Sequence, residues 1–246
     1  MPPIDYQMTG RWLLAGWLAA VMLFMGAPSV DLAISGLFWR DGAGFTVIGN
    51  PFWEFLRQRI WDVAILIFLF AIFATWRSAQ RARPVLGLRA RVWGYIVALF
   101  LVAPILLVNG FLKAQSGRAR PAYVQEFGGE RLFTPAGRFA DQCASNCSFV
   151  SGEVSATVVL GVVLWLVAGL WRGRIAAWGL TYLRVLAIGI PAFVIVQRVV
   201  TGRHFASDAI FAALITLSLA WALHAVFSGA LGRALAGGGL LPRRRG

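Results

Sequence analysis

Charged residues are scarce in this sequence, and that scarcity already limits the fold class. Only 13% of the 246 residues are charged, whereas 59% are hydrophobic. An ordinary soluble domain has roughly 25% charged residues. Internal repeats and low-complexity tracts are also lacking, apart from a short glycine run and an arginine run near the C-terminus. These absences exclude an ordinary soluble protein and a repeat array, and they indicate a chain that lies largely in a lipid bilayer.

Acidic residues are missing from two of the connecting segments, 77–91 and 172–184, although both contain several arginines. The C-terminal segment adds Arg233 and Arg243–Arg245, also without an acid. All three segments fall on one side of a six-helix threading, which the positive-inside rule makes cytoplasmic. Membrane topology therefore explains most of the net charge of +13. No nucleic-acid partner is predicted, and both termini are predicted to be cytoplasmic.

The predicted fold is all-α, a six-helix transmembrane bundle that forms one integral-membrane domain over residues 1–246. Six apolar runs each approach the roughly 20 residues that a spanning helix needs. The first run is retained as a mature helix because its flank is weakly charged and Gly26-Ala27-Pro28 is a poor signal cleavage site. The runs lie near 11–28, 60–76, 92–112, 154–171, 181–197 and 206–228.

Histidine and cysteine are almost absent, with two of each in the chain. A zinc site at Cys143 and Cys147 would need two more ligands, and only His204 and His224 are available. His224 is predicted toward the inner half of the sixth helix, so we predict no metal and no cofactor. The two cysteines have three residues between them in a predicted outer loop, which favours a local disulfide.

A polar stretch from Arg198 to Asp208 lies between the last two apolar runs. It reads Arg, five residues, His, three residues, Asp. If a helix begins near His204, Asp208 lies one turn further on the same face, where its carboxylate can hold the imidazole in one tautomer. Arg198 and Arg203 offer forked donors that suit phosphate oxygens. A membrane-edge histidine between two basic anchors would explain this stretch alone equally well.

A second polar cluster ends the third predicted helix. Lys113 is the only lysine in the chain, and with Arg118 and Arg120 it forms a cationic group suited to an anion. The two arginines could also be interfacial anchors.

A third cluster opens the fourth helix. Ser151 and Gly152 offer a hydroxyl, bare amides and the positive end of a helix dipole to an anion. The simpler interpretation makes Ser151 an N-cap and Glu153 a first-turn acid.

Together these clusters resemble the three-part signature of the type 2 phosphatidic acid phosphatase superfamily. The chain departs from that pattern at Gln197, where serine is usual, and at Glu153, where the superfamily has the histidine that donates a proton to the leaving group. The matching parts are Lys113-x6-Arg120-Pro121, Ser151-Gly152 and Arg198-x5-His204-x3-Asp208.

A narrower resemblance covers roughly residues 107–157 and 197–211. The segments from Val108 to Lys113 and from Gln142 to Glu153, with the Glu126-Phe127-Gly128-Gly129 loop, look like the bacterial lipid A 4'-phosphatases. In that branch the second part carries an acidic residue, and paired cysteines precede it.

The resemblance implies a lipid phosphatase of the bacterial inner membrane with its active site at the outer, periplasmic face. His204 would attack phosphorus to form a phosphohistidine, and Asp208 would orient its ring. The substrate would be a phosphorylated membrane lipid, with the 4'-phosphate of lipid A as the first choice. The phosphoryl oxygens would be held by Lys113, Arg120, Ser151, Gly152 and Arg198.

Glu153 would stand in the place of the leaving-group acid. With substrate bound, we expect burial and the phosphate dianion to outweigh the nearby cations and to keep Glu153 protonated. It could then donate to the departing sugar oxygen.

Two other functions are compatible with these residues. The same site could serve a phosphatase or phosphotransferase for undecaprenyl diphosphate, phosphatidylglycerophosphate or phosphatidic acid. Loss of the motif histidine could instead indicate a catalytically inactive lipid-binding protein. The intact His204–Asp208 pair and the lone Lys113 argue against that last alternative.

Overall fold

The computed structural model describes residues 1–235 and confirms an all-α architecture. The arginine run at 243–245, which contributed to the topology prediction, lies outside the described residues. A two-residue antiparallel hairpin, β1 (Trp39–Arg40) with β2 (Gly44–Phe45), is the small exception to the helical fold in the described part of the chain. The helices are α1 (Tyr6–Phe24), α2 (Ser29–Gly36), α3 (Pro51–Arg81), α4 (Ala90–Gln115), α5 (Gly152–Leu170), α6 (Ala177–Val200), α7 (Ala206–Phe227) and α8 (Ala230–Leu235).

Five of these helices, α3 to α7, are long and apolar enough to cross a membrane. The number rises to six when α1 and α2, which meet at an angle of 84°, are counted as one bent span. The first predicted span was therefore wrong at its end, because α1 stops at Phe24 rather than at residue 28. Pro28 lies at the bend, and a proline has no amide hydrogen with which to continue a helix.

The second span begins at Pro51 instead of near residue 60. Asn50 caps it, since its Oδ1 accepts hydrogen bonds from the amides of Phe52 and Trp53 at 3.1 and 3.3 Å. Asparagine followed by proline is a helix-start signal, and counting apolar residues alone overlooks it. The additional turns at the start of α3 bring Glu54 and Arg57 to the functional site.

The helix α4 contains a π-helical section, Leu101–Leu112, that ends directly before Lys113. Pro104 lies inside this section and cannot donate a backbone hydrogen bond. The side-chain amide of Asn109 donates to the carbonyl of Pro104 at 2.7 Å. Such widened turns are rare and often occur at functional sites. The section sets the rotational position of Lys113 at the end of the helix.

The helix α5 lies at the centre of the bundle. In an apolar 18-residue stretch of α5, 61% of the residues are buried inside the protein, compared with 11–39% in the corresponding stretches of the other four spans. Gly161 allows α6 to cross closely, because a Cβ atom there would lie 2.4 Å from the carbonyl oxygen of Ala187. The hydroxyls of Ser155 and Thr216 are 2.8 Å apart and link α5 to α7. Small residues and interhelical hydrogen bonds are the usual means of holding helices together in lipid.

The chain alternates between the two ends of the bundle. The amide of Ser207, at the start of α7, donates to Asp31 of α2 at 2.9 Å. At the opposite end, the hydroxyl of Tyr6 at the start of α1 lies 2.7 Å from Nδ1 of His224 in the last turns of α7. The predicted motif residues all lie at the first of these ends. Its assignment to the periplasmic side stays a prediction from the arginine distribution.

Candidate active site

His204 lies in the short connection between α6 and α7 and is only 3% exposed. Its backbone amide donates to the carbonyl of Arg198 at 3.1 Å, which closes a tight turn after α6. Its Nδ1 lies 2.8 Å from the carbonyl oxygen of Ser148. A carbonyl oxygen can only accept, so Nδ1 carries the proton and Nε2 keeps its lone pair. This is the tautomer that a nucleophilic imidazole requires at Nε2.

Asp208 lies one helical turn after His204 but does not hydrogen-bond to it directly. Its Oδ2 is 3.7 Å from Nδ1 of His204, which is beyond hydrogen-bond distance. That oxygen instead accepts from the hydroxyl of Ser148 at 2.5 Å and from the amide of Phe205 at 2.9 Å. Ser148 therefore bridges the two residues: its carbonyl accepts from the imidazole of His204, and its hydroxyl donates to the carboxylate of Asp208. Asp208 acts on the ring through its charge and through Ser148.

Three fully buried charged side chains, Asp31, Arg118 and Asp208, form what we call the inner ion cluster. The guanidinium of Arg118 donates to Oδ1 of Asp208 at 2.6 Å and to Oδ2 of Asp31 at 2.9 Å. The hydroxyl of Ser207 accepts from Arg118 at 2.8 Å and donates to Asp31. Arg118 thus points into the protein and holds Asp208, whereas the sequence suggested an interfacial anchor or an anion ligand.

Lys113 and Arg120 meet at Asn146. The Lys113 ammonium donates to Oδ1 of Asn146 at 2.8 Å, and the Arg120 guanidinium donates to the Asn146 carbonyl at 3.0 Å. Asn146 lies in the short loop that a disulfide between Cys143 and Cys147 closes. A cavity of about 350 Å³ opens beside this loop and is lined by Asn109, Lys113, Ala114, Ala144, Ser145 and Asn146.

Ser151 is the N-cap of α5, and its hydroxyl accepts from the amide of Val154 at 3.4 Å. Gly152 is in contact with α4, because a Cβ atom there would lie 2.4 Å from Oδ1 of Asn109. Its amide stands in the first turn of α5, where a helix has no internal partner for its N–H groups. That position leaves the amide available for an anion.

Four charged side chains form a second group, the outer ion cluster of Glu54, Arg57, Glu153 and Arg198. Arg198 lies 3.2 Å from Oε2 of Glu153 and 3.5 Å from Oε1 of Glu54. Arg57 bridges the same two carboxylates, at 2.8 Å from Glu54 and 2.9 Å from Glu153. In addition, the Nε of Arg198 donates to Oε1 of Gln197 at 2.6 Å.

The three motif parts are bonded to one another in the folded chain. The Ser151 amide donates to the Asp208 carbonyl at 3.2 Å, and the Ser148 amide donates to the Arg118 carbonyl at 2.9 Å. The Glu153–Arg198 ion pair adds a third connection. A family model described as the PAP2 superfamily matches residues 91–231, more than half of the chain. The chain belongs to the PAP2 superfamily.

Curated relatives match over most of this PAP2 protein. A lipid A 4'-phosphatase of Rhizobium leguminosarum is 30% identical over 226 residues, covering 85% of this chain and 92% of that protein. One of Rhizobium etli is 31% identical, covering 82% and 84%. One of Francisella tularensis subsp. novicida is 25% identical, covering 84% and 90%. No solved structure matches.

The family match leaves out the first three helices, although two of them, α2 and α3, contribute to the site. Asp31, Glu54 and Arg57 all precede residue 91, yet they contact residues of the second and third motif parts or of the segment around Arg118. The sequence analysis did not single out these three residues, because none of them belongs to a motif. Ser148 was likewise missed, since its role depends on a contact with His204 across 56 residues of sequence.

The surroundings of His204 favour its neutral form. Burial is the largest influence and lowers the pKa of the imidazole, Asp208 opposes this effect, and Lys113 and Arg120 reinforce it. Arg120 lies outside the spanning helices, and its own pKa is lowered by burial and by the charge of Arg203. Within residues 1–235, no group of three or more His, Cys, Asp or Glu side chains is arranged to hold a metal ion.

Proposed function

We propose that this protein is an integral-membrane phosphatase that removes the 4'-phosphate of lipid A at the periplasmic face of the bacterial inner membrane. Membership of the PAP2 superfamily and the relatives support a phosphoric monoester hydrolase. The relatives' names support lipid A as the substrate. The five or six candidate spans fit a multi-pass protein. The arginine distribution supports a periplasmic site and cytoplasmic termini.

The observation that carries this proposal is the state of His204. Its Nδ1 is bonded to a backbone carbonyl, so Nε2 holds the lone pair. Lys113, Arg120 and Arg198 lie at the same end of the bundle as this nitrogen. A neutral imidazole with cationic side chains at the same end of the bundle suits attack on a phosphate dianion, because the cations offset the negative charge of the phosphate and the nucleophile adds none.

The proposed reaction has two steps. In the first, Nε2 of His204 forms a P–N bond while the bond from phosphorus to the sugar oxygen breaks. The departing oxygen takes up one proton, a role that the resemblance assigns to Glu153. In the second step water attacks phosphorus and loses a proton, the P–N bond breaks, and inorganic phosphate leaves. The phosphoryl oxygens are held by Lys113, Arg120, Arg198, the Ser151 hydroxyl and the Gly152 amide.

Mass spectrometry of lipid A from a heterologous bacterial host that expresses this chain tests the proposal. We expect a species lacking one phosphate, at the 4' position, and none of it with the His204→Ala variant. Purified protein in detergent should then release more phosphate from lipid A than from undecaprenyl diphosphate, phosphatidylglycerophosphate or phosphatidic acid. Unmodified lipid A together with turnover of another lipid would contradict the substrate. Failure to release phosphate from any of them would contradict the enzyme activity itself.

A further inference from the structure

We infer that Glu153 is a positioning residue for Arg198, locked to it through Arg57 and Glu54 of α3, and that it does not donate the leaving-group proton. This inference rests on the proposed function of His204 as the nucleophile. It assigns a site role to two residues, Glu54 and Arg57, that lie outside the part of the chain matched by the PAP2 family.

Both carboxylate oxygens of Glu153 face arginine side chains. Its Oε1 accepts from Arg57 at 2.9 Å, and its Oε2 lies 3.2 Å from Arg198 as an ion pair without hydrogen-bond alignment. A guanidinium has only donors, so both contacts engage the carboxylate oxygens as acceptors or counter-ions. With each oxygen held by an arginine, Glu153 is placed to orient the two guanidinium groups rather than to donate to a departing oxygen.

The same contacts compensate Arg198 for the burial of its charge. Its side chain is 8% exposed, so its charge needs partners to offset the cost of desolvation. A guanidinium has five N–H groups. Each nitrogen of the guanidinium has one partner in the protein: Nη1 pairs with Glu153, Nη2 with Glu54, and Nε with Gln197. Only the Nε contact is a hydrogen bond, so N–H groups on Nη1 and Nη2 remain for phosphoryl oxygens, on a guanidinium that the three contacts orient.

Arg57 accounts for the departure from the usual motif. It stands between Glu54 and Glu153 and brings the outer ion cluster to two positive and two negative charges. A histidine at position 153 would leave Arg57 and Arg198 facing one another without the carboxylate between them. The acid in the second motif part and the arginine on α3 are therefore complementary. Arg57 also offsets the repulsion between Glu153 and an incoming phosphate dianion.

The proton balance closes without Glu153. The sugar oxygen takes its proton from a water molecule, and the hydroxide formed is neutralised by the proton that the hydrolytic water releases in the second step. The sum is one phosphate ester and one water converted to one alcohol and one phosphate. Stabilisation of the departing oxygen then comes from the cationic groups.

The two roles differ in how activity depends on the leaving group. A general acid matters most for a poor leaving group such as a sugar oxygen, and little for 4-nitrophenyl phosphate. Loss of a positioning residue weakens phosphate binding in the transition state whatever the leaving group. We therefore expect Glu153→Gln to lower kcat/KM about 10- to 100-fold, as for loss of a hydrogen bond to a charged group, and by the same factor for lipid A and 4-nitrophenyl phosphate in detergent.

Glu54→Gln is the matched control, because Glu54 holds the same arginine from a different helix. It should also lower kcat/KM by a factor that does not change with the leaving group. The losses from Glu153→Gln and Arg57→Gln should not multiply in the double variant, since both act on one cluster. Glu130→Gln, which alters an exposed acid in the outer loop, should leave both rates unchanged.

A loss for lipid A at least tenfold larger than for 4-nitrophenyl phosphate would overturn the inference and make Glu153 the acid. If Glu153→Gln does not fold, Glu153→Asp measured with the same two substrates decides the question in the same way. Activity that survives His204→Ala would instead mean that the proposed function itself is wrong. The two failures are thus distinguished by different variants.

Discussion

The inner and outer ion clusters both support the site around His204, but they differ in burial and in net charge. In the inner ion cluster Asp31, Arg118 and Asp208 have no solvent exposure, and two carboxylates face one guanidinium. In the outer ion cluster the four side chains are 8–35% exposed, and the charges cancel. The surplus negative charge lies beside the imidazole ring, whereas the neutral cluster contains Arg198, the proposed phosphate-binding arginine.

This difference assigns separate tasks to the two clusters. An imidazole that acquires a phosphoryl group at Nε2 while Nδ1 stays protonated becomes positively charged. The net charge of the inner cluster, minus one, stabilises that state. The outer cluster orients Arg198 without adding a net charge that would attract or repel the phosphate. Solvent screens the outer cluster but not the inner one.

Removing the residue that both clusters serve has the largest expected effect. His204→Ala should abolish phosphate release from lipid A, because no other group offers a lone pair to phosphorus in the proposed mechanism. The protein should keep its elution volume in detergent and its thermal transition. Trapping of a labelled, acid-labile phosphoenzyme with the unaltered protein but not with the variant would complete the test. A variant that still forms the phosphoenzyme would show that another residue is the nucleophile.

The two arginines that hold the clusters together should differ in their effect on stability. Arg118→Met leaves two buried carboxylates without a counter-ion and should lower the free energy of unfolding by ~3–5 kcal/mol. Arg57→Met, the matched change in the partly exposed cluster, should lower it by only ~0–1 kcal/mol. Thermal unfolding in one detergent measures both. Equal shifts in the transition temperature would show that burial does not separate the two clusters.

The surplus negative charge of the inner ion cluster can be removed without leaving Arg118 unpaired. Asp31→Asn leaves the Arg118–Asp208 pair in place, so folding should be retained while the cluster becomes neutral. We expect kcat to fall on the order of tenfold, as for loss of a unit charge ~10 Å away at an effective dielectric of about 20. KM should change little because phosphate binding is untouched. A rise in KM at constant kcat would contradict this role.

The pH dependence separates the charge of Asp208 from the general burial of His204. The proposed nucleophile must be neutral, and burial lowers the pKa of His204, so the acid limb of the activity profile should lie below the ordinary imidazole pKa of about 6.5. Asp208 raises the pKa of His204, so Asp208→Asn should move this acid limb to still lower pH while also lowering the maximal rate. Comparing the kcat/KM profiles of the two proteins with one substrate cancels the ionisation of the phosphate ester. A limb that moves to higher pH would contradict the argument.

The smallest expected effect concerns the disulfide loop. The double variant Cys143→Ser with Cys147→Ser opens a loop so short that its closure contributes at most ~2 kcal/mol to stability. Asn146 then loses its fixed position as the shared partner of Lys113 and Arg120. We expect a rise in KM of a few fold and an unchanged kcat. A large fall in kcat would assign the loop a part in the chemical step.

Sequence alone predicted those parts of the molecule that depend on short-range patterns. Apolar runs placed α4 to α7 to within a few residues, because hydrocarbon thickness fixes the length of a span. The linear motif spacing singled out His204, Asp208 and the cations around them. The end of α1 and the start of α3 were wrong, since Pro28 and the Asn50-Pro51 pair act through local backbone geometry rather than through hydropathy.

What sequence could not predict depends on contacts between distant segments. Ser207 meets Asp31 across 176 residues, and Arg57 meets Glu153 across 96. Neither spacing leaves a periodic or local signal in one sequence. The role of Ser148 is equally hidden, because one of its two contacts is made by the backbone carbonyl, which every residue has. Such partners become visible only when the helices are packed together.

The use of a main-chain oxygen to direct the imidazole proton has a consequence for mutational scanning. Every amino acid at position 148 supplies the same carbonyl to Nδ1 of His204, so no replacement of that side chain exchanges the tautomer. A scan would register Ser148 solely through its hydroxyl and the carboxylate of Asp208. The tautomer of the proposed nucleophile is therefore set by the path of the main chain and not by the side chain at position 148.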